Sequence, residues 1–117
     1  MEAKNLAQSD LDQFIGTENY YKHWLGLHYT DGVQYLAEKG GAYWLIDAIA
    51  SHQRGVALKC QFQIWELKVS ERKGVLTMKE DSNEPVRKRQ EIPYTDFPLE
   101  TIKLFLVDGV LMLPSEY

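Results

Sequence analysis

Residues 29–50 read "YTDGVQYLAEKGGAYWLIDAIA", and the fold turns on how this run is divided. Asp31 has a side chain suited to accept from the free N–H groups of a first helical turn. Gln34, three residues on, completes a capping-box spacing. Val33, Leu36 and Ala37 then follow as an apolar stripe at helical period. At Gly40-Gly41 the chain is expected to leave that helix, because glycine takes the left-handed conformation that closes helices. A second helix is predicted from Ala42 to about Gln53. Ala42, Leu45, Ile46 and Ile49 share one of its sides, and Tyr43, Asp47 and Arg54 share another.

Upstream, residues 5–15, "NLAQSDLDQFI", read as a short helix that buries Leu11 with Phe14 or Ile15 and stops at Gly16. In "TENYYKHWLGLHY" at 17–29, Tyr20, Lys22 and Trp24 alternate with Tyr21, His23 and Leu25, the pattern of an extended strand. The pairs Tyr20/Trp24 and Tyr21/Leu25 also fit a helix.

Downstream the period changes to two. "LKCQFQIWELKV" at 58–69 puts Cys60, Phe62 and Ile64 on one side of a strand and Trp65, Leu67 and Val69 on the other. The apolar side switches near Ile64-Trp65, which implies a bulge or a strand covered on both faces. "SERKG" at 70–74 is a turn and "VLTMK" at 75–79 a strand. "EDSNEP" at 80–85 has loop composition, and "VRKRQEI" at 86–92 suits an outer strand whose basic side chains discourage edge pairing. "TIKLFLVDGVLMLP" at 101–114 is a hairpin closed by Asp108-Gly109. Helices first and strands afterwards predict an α+β fold, with N-terminal helices on one face of a mainly antiparallel sheet of four or five strands.

A chain of 117 residues suits one domain, 1–117, and buries roughly 65% of its unfolded surface. Hydrophobic residues make up 44% and charged residues 26%, which excludes a disordered composition. The net charge of −4 disfavours wrapping a phosphate backbone. It is unevenly spread, since residues 1–58 hold seven acidic and four basic side chains and the remainder ten and nine. The single cysteine, Cys60, forbids an internal disulfide and fits a reducing compartment as a buried thiol. The start "MEAKNLAQSDLDQF" has no signal-peptide pattern, and no run approaches the roughly 18 apolar residues of a spanning helix. A cytoplasmic protein with no membrane contact is expected.

Tyr-Thr-Asp occurs twice, at 29–31 and 94–96. The first copy continues as helix and the second as strand, so shared capping chemistry explains both better than a duplicated unit. Asp31 and Asp96, with His28, could alternatively form one polar site if folding joined them. His23 and His28 lack the spacing of a helical zinc pair, and no metal or cofactor is expected. Neither Cys60 with His52 nor any serine stands in a nucleophile motif, and no glycine-rich phosphate cradle occurs, so no catalytic residue is assigned. Arg72, Arg87 and Arg89, with Lys73, Lys79 and Lys88, form a candidate basic patch diluted by Glu80, Asp81, Glu84 and Glu91. Several uncancelled contacts would be needed to hold nucleic acid there. The aromatic surplus, 12% of the chain, supplies a candidate binding surface at Tyr20, Trp24, Tyr43 and Asp47.

Taken together, "GTE" at 16–18, residues 29–50, "FQIWELKV" at 62–69, "QEIPYTDFPLETIKLF" at 90–105 and "VLMLPSEY" at 110–117 give the chain a family likeness. It resembles the bacterial domain-of-unknown-function family numbered 6876, over nearly its whole length. The resemblance implies a small stand-alone protein of cyanobacterial or mobile-element origin and supplies no catalytic residues. In that setting a defence or counter-defence protein is expected, such as an inhibitor of a CRISPR complex. The leading expectation is a small module that binds a protein partner. The alternative is a small enzyme or metal-binding protein using a pocket with Asp31, Asp96 and a histidine.

Overall fold

Thr30 begins the first long helix. In the computed structural model, which describes residues 6–53 and 61–117, its hydroxyl accepts from the Val33 N–H at 3.3 Å. Helix α2 therefore spans Asp31–Gly40 with Thr30 as its cap. This corrects the expectation that Asp31 caps the helix; Asp31 already lies in the first turn, and its carboxylate is committed elsewhere. Gly41 closes the helix at φ 62°, and the Ala42 N–H returns to the Ala37 carbonyl at 2.8 Å. Helix α3 follows at Tyr43–Ser51. The N-terminal helix α1 is shorter than its pattern suggests, Gln8–Asp12, and buries Leu11. Asn5, Arg54 and Cys60, which carried parts of the sequence reading, lie outside the described residues.

The extended segment at 20–29 becomes two short strands, β1 at Tyr20–Lys22 and β2 at His28–Thr30, joined by a tight turn. The remaining strands are β3 at Phe62–Ser70, β4 at Lys73–Lys79, β5 at Lys88–Ile92, β6 at Thr101–Val107 and β7 at Val110–Met112. A 3-10 turn, Pro114–Glu116, ends the chain. Among the described residues, seven strands join one sheet in the order β1-β2-β7-β6-β3-β4-β5. The expected four or five strands are thus seven, and the sheet is mixed, because β2 runs parallel to β7 through His28↔Val110 and Tyr29↔Leu111. β5 forms an edge, as its basic residues suggested.

The switch of apolar side in β3 has no bulge behind it. Its pairing with β6 runs unbroken from Phe62↔Val107 to Lys68↔Thr101. Gln63, Trp65 and Leu67 are buried on the helix-covered face, while Phe62, Ile64 and Glu66 are half-buried on the other. The switch arises because a buried glutamine takes the first inward position. Leu76 and Met78 of β4, Ile102, Leu104 and Leu106 of β6 and Leu111 of β7 complete that floor. Val33, Leu36, Leu45, Ile46 and Ile49 of the helices join it in one continuous core. The hairpin turn behaves as its sequence demands, with Asp108 at φ 49° and Gly109 at φ 83°, both positive as a type I′ turn requires.

Candidate functional site

Asp31 is the hub of a local network. Its Oδ2 accepts the backbone N–H groups of Glu18 at 3.0 Å and Asn19 at 3.2 Å. Its Oδ1 accepts the Tyr21 hydroxyl at 2.9 Å and the Asn19 side-chain amide at 3.3 Å. The Asp31 N–H in turn donates to the Thr17 hydroxyl at 2.9 Å. The Tyr21 hydrogen bond, with the backbone donors behind it, holds the Asp31 carboxyl down to about 2 against the opposing effect of its partial burial. The same bond pushes the Tyr21 phenol above its ordinary value. A carboxylate tied to four donors is a brace for residues 17–21, the approach to β1 and its start, and a poor proton carrier.

This brace has a pH signature. The folded pKa lies below the ordinary value of 3.8, so the stabilisation is present above that pH and is lost as pH falls through about 2. Asp31→Asn should melt below wild type near neutrality, and the gap between the two melting curves should narrow steadily between pH 4 and pH 2. A gap that stays constant over that range would show that the charge on Asp31 contributes nothing.

The second Tyr-Thr-Asp is built differently. Thr95 is buried, its hydroxyl accepts the Phe97 N–H at 3.1 Å, and its own N–H donates to the Arg72 carbonyl at 2.8 Å. Phe97, next to Asp96, lies over Gly40 at the far end of α2 from Asp31. A helix of this length spans about 15 Å, so the fold sets the two aspartates toward opposite ends of it. His28 is exposed on β2 and hydrogen bonds to neither. Among the described residues, no three His, Cys, Asp or Glu side chains gather as a metal site.

The basic residues are also dispersed. Arg72 sits in the β3–β4 turn with its guanidinium 3.5 Å from the Tyr94 hydroxyl, whereas Arg87 lies beyond the opposite end of β4. Arg87 pairs with Glu80 at 2.8 Å and Arg89 with Glu91 at 3.4 Å.

The aromatic residues form the most distinctive surface. A turn closes between β1 and β2, with the Gly26 N–H donating to the His23 carbonyl at 2.9 Å and the His23 N–H to the Leu27 carbonyl at 2.7 Å. Trp24 and Leu25 therefore occupy its two central positions and project outward, 78% and 38% exposed. Such positions ordinarily take Gly, Asn, Asp or Ser.

Beneath them His23 is buried, and both of its ring nitrogens are occupied. The Leu25 N–H donates to Nδ1 at 3.0 Å, which places the ring proton on Nε2, where it is donated to Asp47 Oδ1 at 2.6 Å. No lone pair remains for a metal or a substrate proton. Trp24 stacks on this fixed ring, centroids 5.6 Å apart and planes inclined by 28°.

Asp47 comes from α3, and Tyr43, 45% exposed, lies one helical turn before it. Burial, and after it the nearby Glu38 and Tyr29, push the Tyr43 phenol above its ordinary value. Folding thus links Trp24 to Asp47 through His23, with Tyr43 one turn before Asp47 on α3. Tyr20 is exposed on β1, on the strand face opposite Tyr21, which stacks with Tyr29 at 5.5 Å. Sequence reasoning missed Leu25 and the connecting role of His23. The signal for both was a Trp-Leu pair just ahead of Gly26, in a segment too short to carry a period.

A family model described as "Family of unknown function (DUF6876)" matches residues 5–117. No curated protein and no solved structure matches the chain. Among the described residues, no helix is long and apolar enough to cross a membrane.

Proposed function

We propose, for a chain that belongs to the DUF6876 family of unknown function, that it is a protein-interaction module whose contact surface is centred on Trp24. One observation carries the reading. A tryptophan and a leucine occupy the centre of a tight turn, exposed, with the indole stacked on a histidine that is hydrogen-bonded at both nitrogens. Folding gains little from an apolar pair in water, so this breach of turn chemistry points to a use outside the fold. A partner meeting a pre-positioned indole loses little side-chain freedom of the surface it binds, and tryptophan is the residue most enriched among binding hot spots. Tyr43 and Asp47 extend the surface, and Tyr20 offers a flank.

The resemblance alone supports a narrower form of the proposal. In it the protein acts in the cytoplasm, in a cyanobacterial or mobile-element setting, as a defence or counter-defence factor such as a CRISPR-complex inhibitor. The polar-pocket alternative draws no support from the placement of Asp31 and Asp96.

The test is recovery of a partner from the native host with wild-type protein and with Trp24→Ala. Wild type should recover a stoichiometric partner, and the variant should bind it at least about tenfold more weakly, as loss of a hot-spot side chain does. The variant's melting temperature should stay near wild type, because a surface substitution changes stability by about 0.5 kcal/mol or less. No stoichiometric partner, or equal binding by the variant, would refute the proposal.

A further inference from the structure

The structure assigns a partner chemistry to the Trp24 surface: we infer that it receives an arginine side chain of a protein partner, with the guanidinium against the exposed indole face and an N–H donated to Asp47 Oδ2. The inference rests on the interaction reading above and adds to it the identity of the contacting group.

Asp47 carries a charge that is not cancelled. His23 and Asp47 have the spacing of an ion pair, but the Leu25 N–H on Nδ1 leaves the imidazole neutral, so Asp47 keeps its full negative charge. Only Oδ1 is engaged; Oδ2 has no hydrogen bond among the described residues, and the side chain is 57% exposed. Glu38 on α2 adds a second carboxylate near Tyr43.

The cations of the elements around this surface do not answer these charges. Lys22 is exposed on β1 on the same face as Tyr20, Lys39 is exposed at the end of α2, and neither makes an ion pair among the described residues. An open indole face and the uncompensated Asp47 carboxylate, joined through His23, form a receptor for a planar cation, and Glu38 near Tyr43 adds negative charge on the neighbouring helix. The aromatic faces attract it through their quadrupole, and the carboxylates through charge. Guanidinium fits better than ammonium because it stacks flat, is less strongly hydrated, and still presents N–H groups at its edge to a carboxylate.

Asp47→Asn separates charge from architecture, since asparagine Oδ1 still accepts the His23 Nε2–H. Protein labelled with 15N would be titrated with the capped tripeptides Gly-Arg-Gly, Gly-Lys-Gly and Gly-Glu-Gly while the Trp24 indole N–H resonance is followed, identified by its loss in Trp24→Phe. The arginine peptide should give a saturable shift, weakened about threefold or more by Asp47→Asn and by added salt. The glutamate peptide should give none, and the lysine peptide should bind more weakly than arginine. Equal binding of the arginine peptide to Asp47→Asn, or a lysine peptide as tight as arginine, would overturn the assignment. A host partner that depends on Trp24 but binds Asp47→Asn as tightly as wild type would sink this inference alone. If no partner depends on Trp24, both readings fall.

Discussion

Replacing Glu116 with alanine is expected to cost roughly 3 kcal/mol of folding stability, a drop in melting temperature on the order of 10 °C for a chain of this size. The carboxylate closes the first turn of α2 from the other end of the sequence. Its Oε1 accepts the Thr30 hydroxyl at 2.6 Å and the Leu113 N–H at 2.9 Å, and its Oε2 accepts the Gly32 N–H at 3.3 Å. Thr30 and Gly32 are buried, so alanine leaves inaccessible donors without partners and removes a negative charge from a helix N-terminus.

Gly32 is the complementary half of this arrangement. A Cβ there would lie 2.6 Å from both Glu116 Oε1 and Leu113 Cδ1, so only glycine admits the carboxylate. Glu116→Gln should lose less than alanine, because its oxygen can keep Thr30 and Leu113 while its NH2 faces the Gly32 N–H. Gly32→Ala combined with Glu116→Ala should cost less than the sum of the single changes. Urea and thermal melts would check all of this. A Glu116→Ala protein melting within about 2 °C of wild type would show that the final turn does not hold the helix.

That contact also shows which parts of the fold could be read in advance. Gly41, Asp108-Gly109, the inward side of α3 and the basic edge strand were legible because each signal acts over a few residues: a left-handed closure, a primed turn, an apolar stripe. The start of α2 was legible in position but assigned to the wrong side chain. Thr30 and Asp31 are adjacent and both suit a cap. What decides between them is the pair of amides at Glu18 and Asn19, more than ten residues upstream, which claim the Asp31 carboxylate. Strands β1 and β2 have three residues each, too few for a period, and β2 finds its neighbour in β7 at the far end of the chain. The candidate surface followed the same rule. Trp24, Tyr43 and Asp47 stood out by residue type, whereas the connection of Trp24 to Asp47 runs through a histidine whose role depends on a turn amide and a helix side chain.

The apolar switch in β3 leads to the second large effect, at Gln63. This side chain is 1% exposed beneath α3, a place where a hydrocarbon would ordinarily sit. It exchanges two hydrogen bonds with Gln53, Nε2 to Oε1 at 2.9 Å in one direction and 2.8 Å in the other. Its Oε1 also accepts the Trp65 indole N–H at 2.8 Å. Gln53 in turn reaches the Ile49 carbonyl at 3.1 Å, so the amide ring ties the last turn of α3 to the sheet.

Gln63→Ala strands the buried indole N–H and one amide face and leaves a void, for an expected loss of about 3–4 kcal/mol. Gln63→Met refills most of the volume but gives the indole no comparable acceptor, and should lose about 2 kcal/mol. The diagnostic combination is Gln63→Met with Trp65→Phe. Removing the donor as well as its acceptor should make the pair of changes cost clearly less than the sum of the two alone, the mark of a hydrogen bond rather than of packing. Strict additivity, or a Gln63→Ala loss below about 1 kcal/mol, would mean that the glutamine fills space and that the helix is held to the sheet by its apolar side chains alone.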